Sequence, residues 1–473
     1  MKRIHAAQWS RWRALLEQGR ARAASLGRHV LVSLSLPVSA FDVFEQVASA
    51  ENFAIPYALI ESRDPEHLLF GLGHADELVD DQGLPLAQMA SHWQQWLEEG
   101  VHEGELGPMM MGGARFDADS QRKAHWADFP AAVMTLHALQ WFQRPEGCGL
   151  LLQARVGGES DIQALVSDRQ RLLECMGSPP PVSAGASVVS GVDRDSVPHE
   201  RWKAAVATAV ERIRSGQMRK VVLARHVQRT HPASIDVASL LRRLRERDPG
   251  AHLFAVRRGD SCFLGATPER LAHLAQGIVH THALAGTTPR GADAESDLRL
   301  GEALMESAKE REEHDLVVRT IRESLERLGA SVEAEQMPEL RRLPTLQHLS
   351  TPMRAKLNAR IGVLEVVDTL HPTPAVAGLA LDQALAFIRG HEGLDRGWYA
   401  GPLGWMNDRA EGDFFVALRS VLVRGAEAYL FAGCGVVADS LPELEFDETR
   451  LKLSGMFNAL QTRRETTAVL TSA

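Results

Sequence analysis

Residues 412–460 read GDFFVALRSVLVRGAEAYLFAGCGVVADSLPELEFDETRLKLSGMFNAL. Two apolar runs, 414–423 and 428–437, flank a short polar turn containing Gly425, which predicts a hairpin-like pair of strands. A helix is predicted directly after it, over 442–460, with a proline at the start where a missing N–H is tolerated. Upstream, 252–256 and 261–265 repeat the paired-strand pattern around Gly259-Asp260. Residues 219–229, centred on Val221-Val222-Leu223-Ala224, and 279–284 read as further strands. Helices are predicted over 200–215, most of 294–327, 362–370 and 381–391. Strands and helices do not alternate in βαβ fashion, so the expected class is α+β with antiparallel sheets.

The first third follows the same style. Residues 29–36, 53–61, 67–71, 109–116, 131–139 and 149–156 read as strands, and 86–99 and 161–176 as helices. Trp9, Trp12 and Leu16 are spaced for an amphipathic first helix. The basic start lacks the apolar core of a secretory signal. Residues 177–198, with Pro179-Pro180-Pro181, are rich in Pro, Ser and Gly and form the clearest linker. This divides the chain into 1–176, a linker 177–198, and 199–465; the linker can equally be a surface crossing within one fold.

The 473 residues are 45% hydrophobic and 24% charged, ordinary for a globular protein. No run of 18 apolar residues predicts a membrane span. The net charge of −9 argues against nucleic-acid binding and means that an anionic substrate needs a local positive site. Cys148, Cys175, Cys262 and Cys434 are scattered, which predicts reduced thiols in a cytoplasmic protein, with neither a zinc site nor a disulfide framework. Walker A, H-E-x-x-H and nucleophile-elbow motifs are missing from the sequence, and Gly71-x-Gly73 lacks a third glycine.

Two acidic pairs stand out. Glu310 and Glu313, and Glu445 and Glu448, are each three residues apart on a predicted helix and so share a face. Either pair alone most often faces solvent. Opposed across a cleft, the four carboxylates suit a hard cation such as Mg²⁺. A di-iron site wants Glu-x-x-His, and Arg311 stands three before His314, so His314 reads as a structural group. Lys220 opens a buried strand, where desolvation moves a lysine toward a useful base; the plain alternative is that Lys220 and Arg225 snorkel from the strand ends. Glu269, in Gly265-Ala266-Thr267-Pro268-Glu269-Arg270, sits in an apolar turn that can keep a carboxyl protonated, although Thr-Pro-Glu is also a common helix start.

Taken in order, RKVVLAR (219–225), FLGATPERL (263–271), HALAGT (282–287), SAKEREEHDLVV (307–318), LPTLQHLSTP (343–352), LHPTPAVAG (370–378), DRGWYAGPLGW (395–405), GDFFVALRS (412–420) and FAGCGVVADSLPELEFDETRLKL (431–453) resemble the chorismate-binding family. That family includes isochorismate synthases, salicylate synthases and the chorismate-binding subunits of anthranilate and aminodeoxychorismate synthases. The resemblance implies a single large α+β domain with two antiparallel sheets and helices packed outside. It implies that Glu313 and Glu448 bind Mg²⁺ directly, with Glu310 and Glu445 acting through water. It also implies that Arg419, Lys452 and the backbone near Gly286 and Gly433 hold substrate carboxylates, and that His348, Ala375 and Tyr399 line the same pocket.

Within the family, ammonia-using anthranilate synthases carry Gln where Lys220 stands, and aminodeoxychorismate synthases carry Lys in place of Ala285. Ala375 also fits the water-using subgroup. The resemblance therefore implies an isochorismate synthase. Lys220, uncharged, activates water for attack at C2 of chorismate, and protonated Glu269 donates to the departing C4 hydroxyl. Chorismate is the expected partner, with no membrane, no nucleic acid and no glutamine amidotransferase subunit, in a monomer or weak homodimer. A salicylate synthase, which goes on to expel pyruvate, is the nearest alternative; a catalytically silent binder on the same fold is the other.

Overall fold

Two long strands, Glu66–Asp80 and Ala132–Arg144, lay out the sheet of this computed structural model, which describes residues 4–83, 85–176, 192–342, 346–357 and 361–461. They pair antiparallel from Leu68↔Gln143 to Asp80↔Ala132. The other edge of Ala132–Arg144 is shared: Met111↔Thr135 joins it to Met109–Ala114, and Leu139↔Leu152 joins it to Gly147–Val156. Two arms diverge from this ribbon.

The first arm passes on one side through Gly147–Val156 and Val30–Val38 to Val101–Glu103. On the other side it runs through Tyr57–Arg63, His252–Arg258, Ser261–Thr267, Ser420–Arg424 and Glu427–Val436 to Lys220–Thr230. The second arm runs from Met109–Ala114 through Pro402–Asn407, Gly412–Val416, Arg270–Ala275 and Ile278–Pro289 to Leu346–Lys356. The two expected antiparallel sheets are thus arms of one unbroken hydrogen-bonded network, and one short pair, Val32↔Val101, is parallel. Long strands can serve both arms because one strand edge has room for two partners end to end.

Helices cover both arms. Ala6–Leu26 buries Trp12, Leu15, Leu16 and Ala23 against the first, following the apolar spacing of its sequence. Ala308–Arg327 and Val363–Leu370 pack on the second. One apolar core contains Trp12, Phe70, Trp141 and Leu241; the other contains Trp93, Trp126, Phe263 and Trp398. Each draws on residues from both sides of 177–198, so that segment does not divide the core; only 192–198 of it is described, and 462–465 also lie outside the described residues. The four cysteines are free, and among the described residues no helix is long and apolar enough to cross a membrane.

Several elements depart from their expected bounds. The region 294–327 is two helices, Ala294–Glu306 and Ala308–Arg327, because Ser307 caps the second: its side chain accepts from the Glu310 N–H. Residues 53–56 are not strand; a helix, Val43–Asn52, precedes them, capped by Asp42. The most consequential departure concerns 414–423. That run is two strands in different arms, Gly412–Val416 and Ser420–Arg424, separated by a crossing whose Arg419 has φ +47°. Its apolar pattern is continuous because both arms are buried on both faces there.

A second crossing runs beside it. Ser261–Thr267 belongs to the first arm and Arg270–Ala275 to the second, with Pro268 and Glu269 between. The crossings are tied together: Val416 N–H donates to Glu269 O (3.0 Å), Ala266 N–H to Arg419 O (3.3 Å), and Thr267 Oγ1 to Val416 O (2.7 Å).

Candidate active site

Both crossings border one cavity of about 280 Å³. Its walls also include Lys220–Thr230 and Glu427–Val436 from the first arm and Ile278–Pro289 and Leu346–Lys356 from the second. The opening turns of Ala308–Arg327 and Pro442–Leu460 complete it. Every catalytic, substrate-binding and metal candidate read from the sequence lines this cavity.

The period-two geometry of the strand places Lys220 and Val222 on the cavity side. Lys220 is buried and its Nζ donates to Glu313 Oε1 at 2.6 Å. The contact forms because a carboxylate of the facing helix lies within reach of the amine. Gly435 leaves room for it: a Cβ at that position would stand 3.0 Å from Lys220 Cε. Arg225 does not snorkel. It is 2% exposed, its Nε donates to Thr449 Oγ1 at 2.8 Å, and its guanidinium lies 4.3 Å from the Phe446 ring centre, so it fastens the strand to the terminal helix.

Glu269 is buried at its crossing, and desolvation pushes its carboxyl up to about 7, against opposing contributions from Thr373 and Lys220. Thr373 Oγ1 lies 3.5 Å from Glu269 Oε1.

Glu310 and Glu313 emerge from the first turns of one helix, and Glu445 and Glu448 from those of the other, where helix dipoles favour negative charge. Burial and the neighbouring Glu313 raise the Glu310 carboxyl; burial, with Glu448 adding to it, raises that of Glu445. Gly286, a bulge residue at φ +74°, brings the backbone close: its Cβ would lie 3.2 Å from Glu310 Oε2, and the next N–H, of Thr287, donates to that carboxylate. Glu448 pairs with Lys452 at 2.7 Å as Glu313 does with Lys220. As they stand, no three His, Cys, Asp or Glu side chains among the described residues converge as a metal centre. His314 is buried against Thr351 Oγ1 (2.7 Å) and does not line the cavity.

The remaining wall mixes cations with aromatic surface. Lys452 Nζ also donates to Gly433 O at 2.9 Å. Arg419 reaches Asp248 Oδ2 at 3.3 Å. His348 Nδ1 is 3.0 Å from Thr287 Oγ1, and burial, with the charges of Lys452 and Arg419, pushes its imidazole down to about 3, so it is neutral. Tyr399 stacks on Phe431, ring centres 5.2 Å apart, and burial raises its phenol. Ala375 lines the wall beside Val376.

Sequence reasoning passed over Glu392 and Arg396. Arg396 Nη1 donates to Val376 O and Nη2 to Val222 O, each at 2.8 Å, while Glu392 Oε2 accepts from Ala224 N–H at 2.8 Å. This buried pair fixes the strand that carries Lys220 against the loop that carries Ala375. A salt-bridge pattern at i, i+4 inside the otherwise apolar DRGWYAG neighbourhood was the available signal.

Residues 17–461 match the family described as chorismate binding enzyme, and the chain belongs to it. It is 41% identical over 450 residues, covering 95% of this chain and 94% of the relative, to the salicylate biosynthesis isochorismate synthase of Pseudomonas aeruginosa. It is 34% identical over 363 residues, 77% of each chain, to the isochorismate synthase MenF of Bacillus subtilis. The solved structure of MenF, the menaquinone-specific isochorismate synthase from Escherichia coli, superposes with a TM-score of 0.80 at 26% identity, covering 95% of this chain and 99% of that one.

Proposed function

We propose that this chain is an isochorismate synthase, converting chorismate reversibly to isochorismate with Mg²⁺ bound. The observation that carries the reading is a buried carboxyl held at about 7, Glu269, lining one cavity with Lys220 and four glutamates. The relatives with isochorismate synthase names align over most of the chain, which supports the same activity here.

In this reading Lys220 accepts a proton from a water that attacks C2 of the ring. The double bonds shift, the C4 oxygen leaves, and Glu269 gives it a proton, so one water enters and one departs. Lys220 must first leave Glu313 and lose its own proton to solvent, so that a neutral amine meets the attacking water. Arg419 and Lys452 hold substrate carboxylates, and Tyr399, His348 and Ala375 shape the pocket around the ring. Glu313 and Glu448, backed by Glu310 and Glu445, would hold Mg²⁺: the donors are hard oxygens, and a cation would offset both the burial and the neighbouring carboxylate charge that raise Glu310 and Glu445. Bound there, the metal supplies positive charge to neutralise a substrate carboxylate. With water as nucleophile, no ammonia-supplying subunit is needed.

Purified protein incubated with chorismate and Mg²⁺ is expected to yield isochorismate by chromatography, without pyruvate, and to stop on chelation. Salicylate with equimolar pyruvate would replace this reading by a salicylate synthase. Unconsumed chorismate would reject both.

A further inference from the structure

Asp248 lies outside every motif discussed above, yet it is the acidic partner of a cation in the cavity wall. It caps the C-terminal end of the helix Val237–Arg247 and leads into Pro249-Gly250. Its own N–H donates to Leu244 O and its carbonyl accepts from Ala251 N–H, each at 3.1 Å, so the backbone that bears the carboxylate is fixed at both sides. From there Oδ2 meets Arg419 Nη1 at 3.3 Å.

Arg419 needs such a partner. It occupies the crossing between the two arms with a left-handed backbone, φ +47°, and its carbonyl is held by Ala266 N–H. Its side chain is long and its guanidinium has one acceptor among the hydrogen bonds and ion pairs of the described residues, Asp248. Burial raises the Asp248 carboxyl and the charges of Arg419, Arg341 and Arg247 oppose that rise; of these, Arg419 makes the direct contact. Arg247, Asp248 and Arg419 also line a smaller cleft between Val237–Arg247 and Pro442–Leu460 that shares Arg419, Phe431 and Lys452 with the main cavity. Arg247, Arg419 and Lys452 line this cleft against a single lining acid, Asp248, which gives local positive charge in a chain whose net charge is −9, as an anionic ligand requires.

We infer that Asp248 is a positioning residue for Arg419, holding its guanidinium at the cavity wall so that it meets a substrate carboxylate already aimed. This rests on the proposed binding of a carboxylate by Arg419. A free arginine must be ordered when the ligand arrives; a tethered one has been ordered beforehand, and that difference appears in affinity.

The test compares Asp248→Ala, Asp248→Asn, Arg419→Ala and the double variant Asp248→Ala/Arg419→Ala by steady-state kinetics and by calorimetric titration with chorismate. Asp248→Ala is expected to raise KM and the chorismate Kd about tenfold, with kcat within about threefold of the wild type. In the Arg419→Ala background, removing Asp248 is expected to cost little more, since the two act as one unit. If Asp248→Ala fails to fold, the isosteric Asp248→Asn carries the same comparison. A folded Asp248 variant with unchanged or tighter chorismate binding overturns the inference, as does an effect that is fully additive with Arg419→Ala. If the wild type binds chorismate without forming isochorismate, the proposed activity fails while the titration still decides the role of Asp248.

Discussion

Glu392–Arg396, fully buried, and Lys220–Glu313, partly buried, are ion pairs beside the same cavity, and they are built to different ends. Every nitrogen of Arg396 has an acceptor, in Glu392 or in the carbonyls of Val222 and Val376, and side-chain exposure is 3% and 1%. Its guanidinium also lies 4.1 Å from the Phe116 ring centre. Among the described residues the Lys220 amine has one hydrogen-bond partner, Glu313, which is 18% exposed and faces the cavity. A saturated pair holds backbone segments together; an unsaturated pair keeps valences for something that enters. The comparison teaches which charges around a pocket are frame and which are chemistry.

Three substitutions break or sharpen that contrast. The largest effect is expected from Lys220→Ala: turnover of chorismate falls by roughly 10²–10⁴-fold, as for loss of a general base, while the thermal midpoint stays near that of the wild type. Near-normal turnover would remove Lys220 from the chemistry. Arg396→Met should do the opposite, lowering stability by about 3–5 kcal/mol through the stranded Glu392 carboxylate, measured by denaturant unfolding. A stable Arg396→Met protein would mean that the pair is not part of the frame.

The smallest effect concerns Glu269. Its carboxyl is raised to about 7 in the folded protein by burial. Between the ordinary carboxylate range and about pH 7 the folded state therefore binds a proton that the unfolded chain has lost, so stability falls as pH rises through that window and stays reduced above it. Glu269→Gln removes this penalty and is expected to unfold less readily at pH 8, by roughly 1–3 kcal/mol, with no gain at pH 4. The same variant should lose turnover, and wild-type turnover should decline above about pH 7 as the proton donor is lost. A wild-type rate that rises steadily past pH 8 would contradict Glu269 as the acid.

Much of the site was legible because its chemistry is local in sequence. The i, i+3 spacing of Glu310 with Glu313, and of Glu445 with Glu448, places each pair on one helix face whatever the fold, and both face the cavity. The apolar run after Lys220 required a buried strand, and the strand is buried. The run 414–423 misled because periodicity reports burial and is blind to a change of sheet; the crossing is marked only by the backbone of Arg419. Asp248 was overlooked because a lone charge carries no spacing signal, and Glu392 and Arg396 because an i, i+4 spacing does not say which backbone the pair will hold; each acquires its meaning from a partner on another element or from the backbone around it.

By itself, the sequence determined the class of fold, the family and the inventory of reactive side chains, since turn chemistry, helical spacing and motif order are written along one chain. Tertiary structure alone decided that two sheets merge into one network, that Glu269 is desolvated at a crossing, and that Lys220 and Glu313 meet. Those are relations between distant segments, and desolvation and ion pairing depend on what surrounds a group in space.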